Sequence, residues 1–291
     1  MKMMDNKGNI TLEIGIMLII ILMILGITLN FSEIMTQKTI SATETENTEN
    51  LLVEVVDNLI NNPGKPENWE KYGKGTPGLA IINEHGEIIP NSVSYFKFIG
   101  LQKNYKDLVD KKIFNSKLKT SIELIPQKSS IPSVKIGDNG ESSNVFSVNR
   151  LIKCDFYRKY VIKDFQNEGK CNHNHKQDKH SCNYFKVFKG NMKSSDYYLL
   201  IDKSETKDLK YIVDTTRVVK YKYWQSPDSS KIYLNDEINF YEDTSAVVFI
   251  HFNKPNAKAL LVSVPKNFDK NKLTYDYFRV NECNLILKAW Y

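Results

Sequence analysis

The sequence predicts an α+β protein in which a long N-terminal transmembrane/amphipathic helix precedes a β-rich antiparallel head with one or two short helices. Residues 14–32 contain no charged side chain, which is typical of a segment that spans a membrane. Residues 33–60 contain neither proline nor glycine, so nothing in them stops a helix. After residue 78 the chain has many short runs rich in β-branched and aromatic residues, and such runs favour strands.

The charge-free run is long enough to cross a bilayer. At ~1.5 Å per residue it forms a helix of roughly 28 Å, close to the thickness of the hydrocarbon core. Lys2 and Lys7 precede the run, with Asp5 between them. Because basic residues favour the cytoplasmic side, we expect a single-pass protein of the cell membrane, with a cytoplasmic N-terminus and an extracellular head.

Three interpretations of this run compete. A cleaved secretory signal has an apolar core of roughly 7–15 residues followed by an A-x-A-like site, but this core is longer and residues 29–33 offer no such site. A plain single-span anchor fits the hydrophobicity. The third interpretation depends on the residues that come before the run.

Residues 7–13 read Lys-Gly-Asn-Ile-Thr-Leu-Glu and lead directly into the apolar run. This stretch resembles the class III signal peptide of type IV pilins, in its archaeal form. The resemblance implies that a prepilin-type peptidase cuts after Gly8 on the cytoplasmic side, so that the mature chain starts at Asn9 and keeps its helix. Asn9 stands where many archaeal members have glutamine.

Glu13 would be the fifth residue of that mature chain. A carboxylate at the edge of an apolar helix is costly to bury alone. The resemblance implies that Glu13 pairs with the new amine of Asn9 on a neighbouring subunit during assembly. The simpler alternative is that Glu13 sits in the first helical turn, where the helix dipole favours a negative charge.

The remainder divides into a helical part and a head. Residues 51–60 place leucine, valine and isoleucine on one face of a helix, and Pro63 and Gly64 end it. The middle of the helix, residues 41–50, is polar and is either a solvated helix or a flexible neck. We therefore predict a leader at residues 1–8, a transmembrane or filament-core helix at 9–32, an amphipathic helix and neck at 33–62, and a head at 63–291.

A second resemblance lies where the helix ends. Residues 57–64, 67–69 and 78–80 are similar to a stretch in pilin-like surface proteins of methanogenic archaea. Read physically, this is a helix stop, a loop and the start of a strand. Trp69 is expected to be a packing anchor for the loop, because a large aromatic side chain buries much apolar area.

The head is predicted to be mostly strands arranged as an antiparallel sheet or sandwich. A hairpin at residues 79–90 comes first, and Asn91 and Ser92 are expected to cap a short helix that passes through Phe96. A second short helix is expected at residues 105–114. The predicted strands are 121–125, 133–136, 145–156, 184–188, 197–201, 211–213, 218–224, 246–252, 259–264, 273–280 and 285–290.

Cysteines and histidines cluster in residues 171–182, which hold Cys171, His173, His175, His180 and Cys182. Thiolate and imidazole are the usual ligands of zinc. Thiols outside the cell tend to oxidise, however, and the chain has four cysteines, an even number. We favour a disulfide-closed loop, and the histidines stay secondary candidates for a metal.

Four cysteines allow three pairings. The favoured one joins Cys171 to Cys182, which closes a short loop, and Cys154 to Cys283, which ties the last strand back. No cofactor is expected.

Residues 220–224, Lys-Tyr-Lys-Tyr-Trp, alternate basic and aromatic side chains. Such a strand can present a surface for sugars, envelope polymers or single-stranded nucleic acid. The simpler interpretation is an ordinary strand with its tyrosines inward. The net charge of +6 is mildly basic, and a head outside the cell does not meet nucleic acid, so we expect no nucleic-acid partner.

No enzyme signature is present: the chain lacks G-x-S-x-G, H-E-x-x-H and S-x-x-K with its partner motifs. The favoured function is a pilin-like subunit of an archaeal surface filament or pseudopilus. Its partners would be the membrane, the prepilin-type peptidase, other pilin subunits as homo- or hetero-oligomers, and cell-envelope or host glycans bound by an adhesive head. The alternatives are a monomeric membrane-anchored extracellular protein that binds metal or glycan and, less favoured, an anchored extracellular enzyme.

Overall fold

The computed structural model describes residues 7–83, 85–140, 144–167, 181–215 and 224–291, with backbone alone for residues 7–12 and 41. It divides into two compact units, one up to Glu54 and the other from Val55 to Tyr291. It is an α+β protein with a long N-terminal helix and a β-rich head.

Helix α1 is a single helix, Lys7–Asn61, of 55 residues. The polar stretch at 41–50, predicted to be a solvated helix or a neck, is helical throughout. The helix ends directly before Asn62, Pro63 and Gly64, as the proline and glycine predict. Gly64 has a φ of +85°, and a Cβ on it would lie 2.2 Å from Trp69 Cδ1, so this position requires glycine.

The head contains thirteen strands and three short helices in the residues that the structure describes. The helices are α2 Trp69–Tyr72, α3 Tyr95–Gln102 and α4 Tyr275–Phe278, with a π-helical segment at Lys106–Lys111. The strands are β1 Ala80–Ile82, β2 Ile88–Val93, β3 Lys119–Pro126, β4 Val134–Gly137, β5 Phe146–Cys154, β6 Val161–Asp164, β7 Cys182–Phe188, β8 Ser195–Ile201, β9 Tyr211–Thr215, β10 Lys231–Tyr233, β11 Ser245–Phe252, β12 Ala259–Pro265 and β13 Asn281–Trp290.

These strands form three sheets. The first has six strands in the order β1-β2-β5-β13-β3-β4, the second has four in the order β10-β8-β12-β6, and the third has three in the order β7-β11-β9. All pairings are antiparallel except β2 with β5, which is parallel. The predicted β-rich antiparallel head is confirmed, and this parallel pairing is the one exception among the described strands.

The second and third sheets pack face to face. Leu199 and Ile201 of β8 share a core with Val248 and Ile250 of β11. The intervening Leu200 of β8 belongs to a different core, with residues of β12 and α4. The second sheet is therefore buried on both faces, which explains why β8 and β12 read as continuous apolar runs rather than as alternating ones.

Residues 273–280 were predicted to be a strand, and this prediction was wrong. A 3-10 turn at Lys270–Lys272 precedes helix α4 there. Tyr275 and Phe278 are both buried in the same core. Their separation of three residues fits one turn of helix, whereas aromatic content alone suggested a strand.

The start of the first short helix was also predicted wrongly. Asn91 and Ser92 lie inside β2, and Ser94, in an extended conformation, precedes α3. Strands β6 and β10 were missed because their sequences, VIKD and KIY, are too short to show alternation. The predicted strand at 218–224 lies outside the described residues except for Trp224.

Candidate functional site

The first candidate functional element is the apolar stretch of α1. All of its large apolar side chains from residue 14 to residue 29 are exposed, by 49% to 67%. They are Ile14, Ile16, Met17, Leu18, Ile19, Ile20, Ile21, Leu22, Met23, Ile24, Leu25, Ile27 and Leu29. Ten consecutive exposed positions, 16–25, surround the helix completely, so the apolar surface is not a stripe that faces one core.

This stretch is long and apolar enough to cross a membrane. Its most apolar window of 18 residues has a mean hydropathy of 2.7, and none of that window is buried. Gly8 and Asn9, the predicted cleavage position, lie in the helical backbone that begins at Lys7. Glu13 is exposed and directly precedes the apolar side chains.

The last turns of α1 belong to the head unit, and their environment is different. Val56 and Leu59 are buried, and the carbonyl of Leu59 accepts a hydrogen bond from the Leu79 amide at 2.7 Å. Asp57 accepts two hydrogen bonds from Arg150 of β5, at 2.7 and 3.1 Å. This two-pronged geometry fixes both side chains, which a single contact would not do.

Trp69 holds the loop that follows α1. Its side chain is fully buried, and Nε1 donates a hydrogen bond to the carbonyl of Gly78 at 2.9 Å. The predicted role of Trp69 as a packing anchor is confirmed.

Cys154 and Cys283 are buried diagonal neighbours on β5 and β13, because Cys154 pairs in register with Asn281. Both are thiols in this structure. The Cys283 thiol donates to the carbonyl of Asn281 at 3.6 Å. Burial, and then the contact with Cys283, raise the pKa of Cys154 well above its usual value. The pairing stays a prediction.

The other predicted site residues fall in or beside segments outside the described residues. Cys171, His173, His175 and His180 lie outside, and Cys182 is the half-buried first residue of β7. Within the described ranges, no three histidine, cysteine or acidic side chains are placed to hold a metal ion. The metal and disulfide predictions for this cluster are therefore untested.

The head also contains a cleft that was not predicted from the sequence. It has a volume of about 430 Å³ and lies between the end of α3, the π-helical segment, the start of β3 and the end of β4. Lys103, Lys106 and Lys119 line it together with Asp110 and Asp138. These residues are scattered over thirty-odd positions of the chain, and only the fold brings them together. In the sequence, Asp138-Asn139-Gly140 is typical of a turn, and a turn predicts nothing about a site.

A chain of hydrogen bonds supports one wall of this cleft. Thr120 Oγ1 donates to Asp110 Oδ1 at 2.6 Å, and the Tyr105 hydroxyl contacts Thr120 Oγ1 at 2.9 Å. Burial raises the pKa of Asp110, and the hydrogen bond from Thr120 partly offsets this. Burial likewise raises the pKa of Tyr105, so the tyrosine keeps its proton. The hydrogen bonds therefore run from Tyr105 to Thr120 and from Thr120 to Asp110.

Comparison with known proteins gives no relative. No family model matches the chain, no curated protein matches it, and no solved structure matches its fold. The cleft combines cationic groups with oriented carboxylate acceptors, which suits it to binding a polar ligand, whereas the apolar stretch of α1 needs a lipid or protein surface around it.

Proposed function

We propose that this chain is a pilin-like subunit of an archaeal surface filament or pseudopilus, which assembles through residues 9–32 and displays the head as its adhesive part. One observation carries the proposal. The apolar side chains between Ile14 and Leu29 are exposed around the whole circumference of α1. A helix of this kind is stable only where lipid or other apolar helices cover it.

The position of Glu13 favours cover by other copies of the chain. A lone carboxylate inside a membrane helix costs roughly 2.5–3.5 kcal/mol near the bilayer centre, and a paired one costs less. Glu13 directly precedes the apolar side chains. A cut after Gly8 would create a cationic amine on Asn9, about one helical turn before Glu13. In a bundle of copies this amine would neutralise the Glu13 of a neighbour.

A membrane-anchored monomer that binds an extracellular ligand is the second candidate. The cleft in the head favours it, because a binding site does not require a filament. The two candidates share the anchor and the extracellular head. They differ in whether the chain is cut after Gly8 and whether copies contact one another.

Mass spectrometry of the N-terminus, on protein from its native membranes, tests this difference. We expect a mature chain that starts at Asn9. A Gly8→Val variant should keep residues 1–8, whereas the matched Gly15→Ala variant should be cut normally, because a Cβ at Gly15 meets nothing within 4 Å. A wild-type chain that keeps residues 1–8 would contradict the pilin-like function and leave the anchored monomer.

A further inference from the structure

The cleft in the head is large enough for a specific small ligand. Its volume of about 430 Å³ falls in the lower part of the range of known ligand pockets, about 300–1,000 Å³. We call it the lysine cleft, after Lys103, Lys106 and Lys119. All of its walls belong to the head unit.

Irregular backbone shapes three sides of the lysine cleft. The π-helical segment Lys106–Lys111 replaces an ordinary helix, and π-helical turns are rare and occur often at functional sites. Asn115 and Ser116 follow it with φ values of 49° and 58°. The Ser116 amide donates back to the Asp110 carbonyl at 2.7 Å. Left-handed residues other than glycine are unfavourable and are retained where the surroundings hold them.

Gly137 forms the third side. Its φ is +101°, and a Cβ there would lie 2.6 Å from the Thr120 carbonyl oxygen and 2.7 Å from Tyr105 Cε1. Only glycine therefore lets β4 end this close to the hydrogen-bonded wall of Tyr105 and Thr120. A π-helical segment, two left-handed residues and a required glycine therefore give the cleft its shape.

The three lysines at the cleft are exposed and form no ion pair in the part of the chain that the structure describes. Two nearby lysines outside the cleft differ from them. Lys111 pairs with Asp107 at 2.7 Å, and Lys112 donates to the Gly75 carbonyl at 3.2 Å. Cationic groups gathered at a cleft focus their field and attract anions.

The carboxylates of the cleft are held as hydrogen-bond acceptors. Asp110 Oδ1 is fixed by Thr120, and Asp138 Oδ1 accepts from the Gly140 amide at 2.8 Å. Oriented carboxylates of this kind accept hydrogen bonds from hydroxyl groups. They would also repel a small, densely charged anion such as inorganic phosphate.

We propose that the lysine cleft binds an acidic sugar, in which a carboxylate of the ligand meets the lysines and the ring hydroxyls meet Asp110 and Asp138. A neutral sugar would leave the lysines without partners, and phosphate has too few donors for the aspartates. This inference rests on the proposed function, because it supplies the ligand of the adhesive head. It is independent of how α1 assembles.

Titration calorimetry on the full chain in detergent micelles tests the proposal, with glucuronic acid oligosaccharides as the probe. We expect saturable binding that weakens as salt rises. Lys106→Gln and Lys119→Gln should each weaken it by about tenfold, the value of one charge-assisted hydrogen bond. Lys111→Gln is the matched control: it lies on the same π-helical segment but not on the cleft, and should leave affinity unchanged.

Three results would overturn the proposal. The first is that protein with an unchanged circular dichroism spectrum gives no heat of binding at millimolar oligosaccharide. The second is that it binds glucose oligosaccharides or inorganic phosphate with equal affinity. The third is that Lys111→Gln weakens binding of the oligosaccharide as much as the two cleft substitutions do. Cleavage after Gly8 is read on the same protein preparations. Normal cleavage without sugar binding would overturn only the proposal that the cleft binds an acidic sugar. Sugar binding by an uncut chain would overturn only the proposal that the chain is a filament subunit.

Discussion

Helix α1 contains two apolar regions with opposite surroundings. Leu22, in the first region, is 60% exposed, whereas Leu59, near the end of the helix, is 2% exposed. The first region is apolar all round. The second is apolar on one side, with Glu54 and Asn58 exposed on the other. An apolar stripe indicates a core within the same chain, while an apolar cylinder indicates that its cover comes from outside the chain.

The largest expected effect would come from Glu13, at the start of the first region. Glu13→Gln keeps the size and polarity of the side chain but removes its charge, so the amine of Asn9 would lack a counter-ion. We expect the yield of filaments sheared from cells to fall about tenfold or more. Glu33→Gln, beyond the apolar region, is the control and should assemble normally. Normal filaments from the Glu13→Gln variant would remove the assembly role of Glu13.

The two leucines give a direct test of the contrast between the two regions. Leu59→Ala should reduce the free energy of unfolding of the head by about 2–5 kcal/mol, because it removes a buried side chain and leaves a cavity. Leu22→Ala should leave that free energy unchanged. Urea unfolding of the detergent-solubilised chain, followed by tryptophan fluorescence, measures both. Equal losses in the two variants would mean that the first region is also packed in the head.

Asp155 is a largely buried carboxyl group in the head, in contrast to the exposed Glu13 of the first region. Burial raises its pKa to about 6, although Lys159 and Lys97 act to lower it. In the unfolded chain it ionises near pH 4, as aspartate usually does. The raised pKa of Asp155 therefore adds about 1–3 kcal/mol to the free energy of unfolding below pH 4, and this contribution is lost as pH rises through 6.

Asp155→Asn should remove this loss. The amide oxygen can still accept the hydrogen bond from the Tyr95 amide, which is 2.8 Å long in the native protein. Relative to the native chain, we expect the variant to gain free energy of unfolding between pH 4 and pH 7. The measurement is urea unfolding at several pH values, and parallel profiles for the two proteins would contradict the raised pKa.

The smallest effect is expected at the ion pair between Asp57 and Arg150. Both side chains are partly exposed, at 44% and 33%, so solvent screens the pair. Asp57→Asn should cost about 1 kcal/mol of unfolding free energy. Asp107→Asn removes a more exposed ion pair and should have no measurable effect. An equal effect of both substitutions would mean that Arg150 does not help to hold the end of α1.

Local signals could be predicted from the sequence, and long-range placement could not. The end of α1 follows from Pro63 and Gly64, and the burial of Trp69 follows from its size. The parallel pairing of β2 with β5 joins distant segments whose composition does not encode direction. The lysine cleft could not be predicted either, because Lys103, Lys119 and Asp138 become neighbours only after folding. The helical turn at Tyr275 was predicted to be a strand because aromatic residues favour strands, although they also fill cores in helices.

Photo-crosslinking from the first apolar region shows whether other copies of the chain cover it. A photoreactive amino acid would replace Leu22, and a control would replace Tyr72, an exposed residue of the head. After illumination of intact cells, we expect covalent ladders of this chain from position 22 in sheared filaments and none from position 72. If the adducts formed at position 22 contain only lipid, other copies of the chain do not cover the first apolar region. The chain would then be a solitary membrane-anchored protein.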